Sequence, residues 1–212
     1  MCIRDRTARE NCQTVVSETV NRFGGVDILV NCVGAARGGD ILDLPTEQID
    51  EALGLKSYSY LRMAQFVIPY MKQNGWGRIV NVASAAQIAI DFDDPMIQRD
   101  YDGSRAYSQS KLAMVMATFE LARRIDPGGV TVNALHPGSL LDTKMVREGF
   151  GTPLGPVEIG IESEVYLATS PDLDGVTGAY FDRCQQARAD EQAYDGAACR
   201  TLWELSERLI RA

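Results

Sequence analysis

Three short apolar runs rich in β-branched residues alternate with longer stretches of helical spacing. Val26-Asp27-Ile28-Leu29-Val30-Asn31-Cys32-Val33 and Arg78-Ile79-Val80-Asn81-Val82-Ala83-Ser84 read as strands buried on both faces, and Val130-Thr131-Val132-Asn133-Ala134-Leu135 as a third strand. Val15, Val16, Thr19, Val20 and Phe23 predict an amphipathic helix over residues 7–23, ended by Gly24-Gly25. A long helix is expected over 45–72, with Thr46 as N-cap and Pro69 kinking its last turns, before Gly75 and Gly77 break it. Residues 86–105 read as a loop and 106–125 as a helix, followed by a Pro127-Gly128-Gly129 turn. Beyond the third strand come a loop over 149–156, a helix over 159–169, a short strand over 179–182 and a final helix over 198–211. Strands separated by helices imply parallel crossovers and a doubly wound α/β sheet in a single domain over 7–212.

Composition narrows the function classes. A chain of 212 residues can bury one sizeable core. No apolar run approaches the ~20 residues of a membrane span, and Met1–Arg6 has no apolar stretch, so a cytoplasmic location is expected. The net charge of −8 comes without a basic patch, which argues against nucleic acid as a partner. Cys2, Cys12, Cys32, Cys184 and Cys199 are scattered and never spaced Cys-x-x-Cys, so neither a disulfide framework nor a zinc site is expected. His136 is the single histidine; it is followed by Pro137, and there is no Gly-x-Ser-x-Gly elbow, which disfavours hydrolase readings.

The candidate chemistry sits where strands end. Tyr107 and Lys111, in Tyr107-Ser108-Gln109-Ser110-Lys111, lie four apart on one face of a predicted helix. An ammonium close to a phenol favours the phenolate, and a free tyrosine, titrating near ~10, needs such help to exchange protons at neutral pH. Ser84 closes the second strand, where a hydroxyl can donate to a substrate carbonyl oxygen. Asn31-Cys32-Val33-Gly34 and His136-Pro137-Gly138 put small or turn-forming residues where backbone can approach a ligand closely. Each alone also fits a plainer reading: an exposed Tyr–Lys pair, a serine in a turn, ordinary turn chemistry.

Taken in this order, the four segments resemble the short-chain dehydrogenase/reductase family, over about residues 7–209. Asp27 to Gly34 resembles the family's Asn-Asn-Ala-Gly strand in altered form, Gly77 to Ser84 its serine strand, Tyr107 to Lys111 its active-site motif, and Val132 to Gly138 its proline-glycine segment. The long stretch between Ser84 and Tyr107, Gly178-Ala179-Tyr180-Phe181-Asp182 and Leu202-Trp203-Glu204-Leu205-Ser206-Glu207 resemble the retinol-dehydrogenase-like branch. The resemblance implies a Rossmann-type fold and an oxidoreductase that interconverts a carbonyl and an alcohol with NAD or NADP. It implies Tyr107, Lys111 and Ser84 as catalytic residues. It implies cofactor contacts at Asn31, Gly34, Tyr107, Lys111, Pro137, Gly138 and Thr143. It further implies a small-molecule substrate and, for a complete protein, a homo-oligomer formed through two long helices near 47–72 and 106–125.

Two departures from the family pattern stand out. The family opens with a strand and a glycine-rich turn that holds the pyrophosphate, and no such motif is found here. Residues 1–6 therefore read as a non-native leader on an incomplete frame lacking the first βαβαβ portion, roughly 60 residues. Such a chain is expected to expose an apolar edge and to fold poorly. Lys56 stands where the family often has an active-site asparagine. These departures keep open a non-catalytic fragment serving as a binding or scaffold protein; a related epimerase or dehydratase fits the proline-glycine segment less well. The acidic loop carrying Asp91, Asp93, Asp94, Asp100 and Asp102 is expected to disfavour anionic substrates.

Overall fold

The apolar runs pair side by side. The computed structural model describes residues 9–32, 59–125 and 129–211. In it β1 (Ile28–Asn31), β2 (Gly77–Val82), β3 (Val130–His136) and β4 (Tyr180–Asp182) run parallel in chain order, and β5 (Gln185–Ala187) joins antiparallel. The helices are α1 (Arg9–Phe23), α2 (Ser59–Asn74), α3 (Gly103–Arg124), α4 (Lys144–Gly149), α5 (Glu158–Thr169) and α6 (Gly196–Arg211).

Alternation along the strands divides the core into two layers. Leu29, Ile79, Val130 and Val132 pack against Met63, Val67 and Met71 of α2 and Val16 of α1. On the same face, Ala134 and Tyr180 meet Leu112, Val115, Met116 and Phe119 of α3, with Cys199 and Leu202 of α6. Val80, Leu135 and Phe181 point the other way, onto Leu167 and Ala168 of α5. Each such side chain contributes about 1.5–3 kcal/mol when fully buried. Helices cover both faces, which gives the doubly wound α/β fold.

A buried polar relay fastens the β1 end of the sheet. Asn31 Nδ2 donates to Asn81 Oδ1 (2.8 Å) across the β1–β2 pair. Asn81 Nδ2 donates to Thr118 Oγ1 (2.9 Å), and that hydroxyl donates to the Met114 carbonyl of α3 (2.8 Å). Every polar atom named here has a partner, as burial requires.

Several boundaries differ from expectation. β1 is shorter than the Val26–Val33 run, and Ile28 is 38% exposed, because among the described residues β1 pairs with β2 alone. α3 begins at Gly103 rather than 106, since the Asp102 carboxylate caps it by accepting from the Arg105 N–H (2.7 Å). α2 continues past Pro69 to Asn74. Pro45, Thr46 and Lys56 lie outside the described residues, as does Gly34. α4 and β5 carried no sequence signal. α4 is a short turn capped by Thr143, and β5 is a polar segment brought beside β4 by Arg183 at φ 54°.

The turn into β3 depends on a backbone approach. Gly129 sits at φ 82°, and a Cβ there would stand 2.0 Å from the Gly75 carbonyl oxygen. Gly24, at φ 85°, has open space where its Cβ would be. Gly129→Ala is expected to destabilise the fold by about 1–3 kcal/mol beyond Gly24→Ala, which carries the backbone strain alone. Thermal unfolding of both variants checks this, and equal midpoints would contradict the close packing of the two turns.

Candidate active site

Parallel pairing brings the carboxyl ends of β1 to β4 to one side of the sheet, the side where open α/β sheets bind ligands. The last ladder bond above β2 runs from the Ala83 N–H to the Leu135 carbonyl (2.7 Å). Ser84 follows it and is buried, its Oγ accepting from the Ala86 N–H (3.1 Å). That leaves the hydroxyl hydrogen available to an incoming oxygen.

Tyr107 and Lys111 lie one turn apart near the start of α3. Lys111 Nζ donates to the Val82 carbonyl (3.2 Å) at the end of β2 and stands 5.7 Å from the centre of the Tyr107 ring. Tyr107 is 45% exposed and so can meet a ligand from solvent. Thus Lys111 draws the Tyr107 turn to the strand end that Ser84 extends.

The other expected site residues divide. Pro137 and Gly138 follow β3; Gly138, at φ 127°, has no side chain to crowd Leu141, whose Cδ2 would lie 3.0 Å from a Cβ. Thr143 Oγ1 accepts from the Val146 N–H (3.3 Å) and caps α4. Asn31 is 2% exposed and its amide is turned inward to Asn81, so its side chain ties strands together at the rim of the site.

Further residues, given no role from sequence, surround this centre. Cys32 Sγ donates to Glu164 Oε1 of α5 (3.3 Å). Desolvation of the sulfur first, then the Glu164 charge and hydrogen bond, push the thiol of this exposed residue up to about 11 against the opposing charge of Lys111. The Ser84 carbonyl receives two donors, Gln87 Nε2 (2.9 Å) and the Tyr180 hydroxyl (3.1 Å). Gln192 accepts from the Ile90 N–H (2.7 Å) and donates to the Ile90 carbonyl (3.0 Å), holding the loop after Ser84 against the segment that follows β5. Tyr180 stood in a recognisable strand, but neither glutamine had a pattern to mark it.

Carboxylates of the acidic loop bond its own backbone. Asp91 accepts from the Asp93 N–H (3.0 Å), and Asp94 accepts from the N–H groups of Gln98 (2.8 Å) and Arg99 (3.0 Å). Those two backbone bonds hold the Asp94 carboxyl below its ordinary range. Among the described residues no group of His, Cys, Asp and Glu could hold a metal ion, and no helix is long and apolar enough to cross a membrane.

His136 ends β3, buried, with Nε2 3.3 Å from Ser139 Oγ. Burial lowers its pKa; Asp182 opposes this, while Arg183 and Lys111 add to it. The unfolded chain therefore takes up a proton at higher pH than the folded one. The stability this neutral ring contributes is complete above the ordinary histidine pKa, ~6.5, and declines as pH falls through and below it. His136→Asn is expected to lose less of its melting temperature than the parent between pH 7.5 and 5.5. Parallel losses in thermal scans would contradict the assignment.

Comparison with known proteins shows the family. The short chain dehydrogenase family model matches residues 2–152. Human retinol dehydrogenase 13 is 36% identical over 97% of this chain and 67% of its own length. Human retinol dehydrogenase 14 is 31% identical over 97% of this chain and 63% of its own length. The chain thus spans about two thirds of the length of these relatives. A putative short-chain dehydrogenase/reductase from Burkholderia xenovorans superposes with a TM-score of 0.64 at 29% identity, covering 85% of this chain and 71% of that one. A gluconate 5-dehydrogenase from Burkholderia cenocepacia, solved with NADP and tartrate, shares the fold at a TM-score of 0.66 and 21% identity, over 84% of this chain and 71% of that one. The chain belongs to the short-chain dehydrogenase family, in its retinol-dehydrogenase-like branch.

Proposed function

We propose that this protein is an NAD(P)-dependent oxidoreductase that interconverts a carbonyl and an alcohol, with Tyr107 as general acid and base. The observation that carries the reading is the Lys111 ammonium, bonded at 3.2 Å to the carbonyl of Val82, two residues before Ser84, and 5.7 Å from the centre of the Tyr107 ring. Family membership supports the reaction class.

The residues present fit the nicotinamide end of such a cofactor. Gly138 leaves the end of β3 free of a side chain, and Lys111 supplies a cation at the rim. Tyr107, Lys111, Asn31, Pro137, Gly138 and Thr143 would hold it, Asn31 by fixing the end of β1. When bound, the cofactor gives or takes the hydride. The chain's own residues do the rest. Ser84 donates its hydroxyl hydrogen to the substrate oxygen and orients it. Tyr107 gives that oxygen a proton in reduction and removes it in oxidation. Lys111 places its ammonium beside the ring from which this proton comes, 5.7 Å from its centre.

Likeness to the retinol dehydrogenases supports an apolar aldehyde, ketone or secondary alcohol as substrate class. The loop after Ser84, which includes the exposed Ile88 and Met96, supports it too, since it offers apolar side chains beside its acids.

Oxidation of NADH and NADPH with a panel of apolar and carboxylated carbonyl compounds tests the proposal. Tyr107→Phe is expected to lower kcat by about 10²–10⁴-fold, with cofactor Kd within a few-fold of the parent. Ser84→Ala is expected to lower it by about 10²-fold or more. A Tyr107→Phe protein that turns over at the parental rate would overturn the assignment. A parent that binds cofactor without turnover would favour a binding role.

A further inference from the structure

We infer that Tyr180 and Gln87 are positioning residues for Ser84, clamping its carbonyl so that its hydroxyl faces the substrate. The inference rests on the oxidoreductase reading for its kinetic part and on geometry for the rest.

Ser84 needs such a clamp because the sheet releases it. The ladder closes at Ala83, whose N–H reaches the Leu135 carbonyl, and no ladder bond holds the next residue. Two donors replace it. The Tyr180 hydroxyl donates from β4 (3.1 Å), and Gln87 Nε2 donates from three residues on (2.9 Å). Together they fill both lone pairs of one carbonyl oxygen. Gln87 is itself held, its Oε1 accepting from the Asp190 N–H (2.9 Å). The ring of Tyr180 is fixed by the apolar cluster around Val115, Met116 and Phe119 of α3. With its carbonyl pinned and its Oγ accepting from Ala86, Ser84 has little freedom to turn.

The donor also persists across the working pH range. Burial first, then the negative charge of Asp182, push the Tyr180 phenol up to about 12, with Tyr194 adding and the Gln87 hydrogen bond opposing. Arg183, on the same strand end, sits beside Asp182 (3.1 Å). The clamp should therefore work alike at neutral and alkaline pH, unlike a group that itself exchanges protons in the reaction.

Tyr180→Phe keeps the ring and removes the donor. In the full chain, kcat is expected to fall about tenfold with KM little changed, as for a misplaced reacting group. The ratio to the parent should be constant between pH 6 and 9. In a Ser84→Ala background the same substitution should cost nothing further in kcat, because there is no hydroxyl left to orient. The Ser84 carbonyl carbon, read by NMR through the Ala85 amide, should move upfield in Tyr180→Phe while the Ile79 carbonyl stays in place. A kcat loss that persists in the Ser84→Ala background would overturn the inference, as would an unmoved Ser84 carbonyl. The carbonyl shift is read without any turnover. A parent that reduces no carbonyl compound would sink the oxidoreductase reading, while an upfield move of the Ser84 carbonyl from that parent to its Tyr180→Phe variant would sustain the clamp.

Discussion

The candidate site depends on a hydrogen bond between a helix and a strand end. The Lys111 ammonium donates to the Val82 carbonyl, where β2 runs out of ladder partners. A hydrogen bond from a charged donor contributes roughly 1.5–3 kcal/mol and is directional. It fixes the first turns of α3 against the sheet and so sets where Tyr107 stands. The same cation bears on Cys32 and His136, at the ends of β1 and β3. Its charge thus reaches three adjacent strand ends.

That bond can form because the rest of α3 is committed to the core. Leu112, Val115, Met116 and Phe119 are buried against Ala134 and Tyr180, leaving Lys111 at the margin with its amine over the strand end. Thr118, on the same helix, closes the amide relay from Asn31 through Asn81. Apolar packing supplies most of the stability, and the two polar connections supply register. On the other face, Val80, Leu135 and Phe181 pack under Leu167 and Ala168 of α5.

Much of this was legible beforehand because it is periodic or local. The apolar runs at 26–33, 78–84 and 130–135 read as buried strands, and Tyr107 and Lys111 share a face by helical spacing. What sequence spacing could not carry is contact at a distance. Tyr180 lies 96 residues from Ser84, and Gln192 lies 102 from Ile90, and no local pattern links either pair. The bond of the Asn31 amide to Asn81 across the ladder likewise depends on register, which no local pattern carries. The acids of the 91–102 loop were visible as a run, but not that Asp91, Asp94 and Asp102 bond the backbone of their own turns or of the α3 start. Short elements failed for the converse reason: α4 and β5 have too few residues to show a period.

On the proposed reading, Lys111 organises a nicotinamide-binding, proton-exchanging centre at the end of β2. Fluorescence titration of the parent and of Lys111→Met with NADH and NADPH is the sharpest test. Saturable binding by the parent is expected, with at least about tenfold weaker binding by the variant and the fold retained. Equal binding by both proteins, or none by a folded parent, would contradict it.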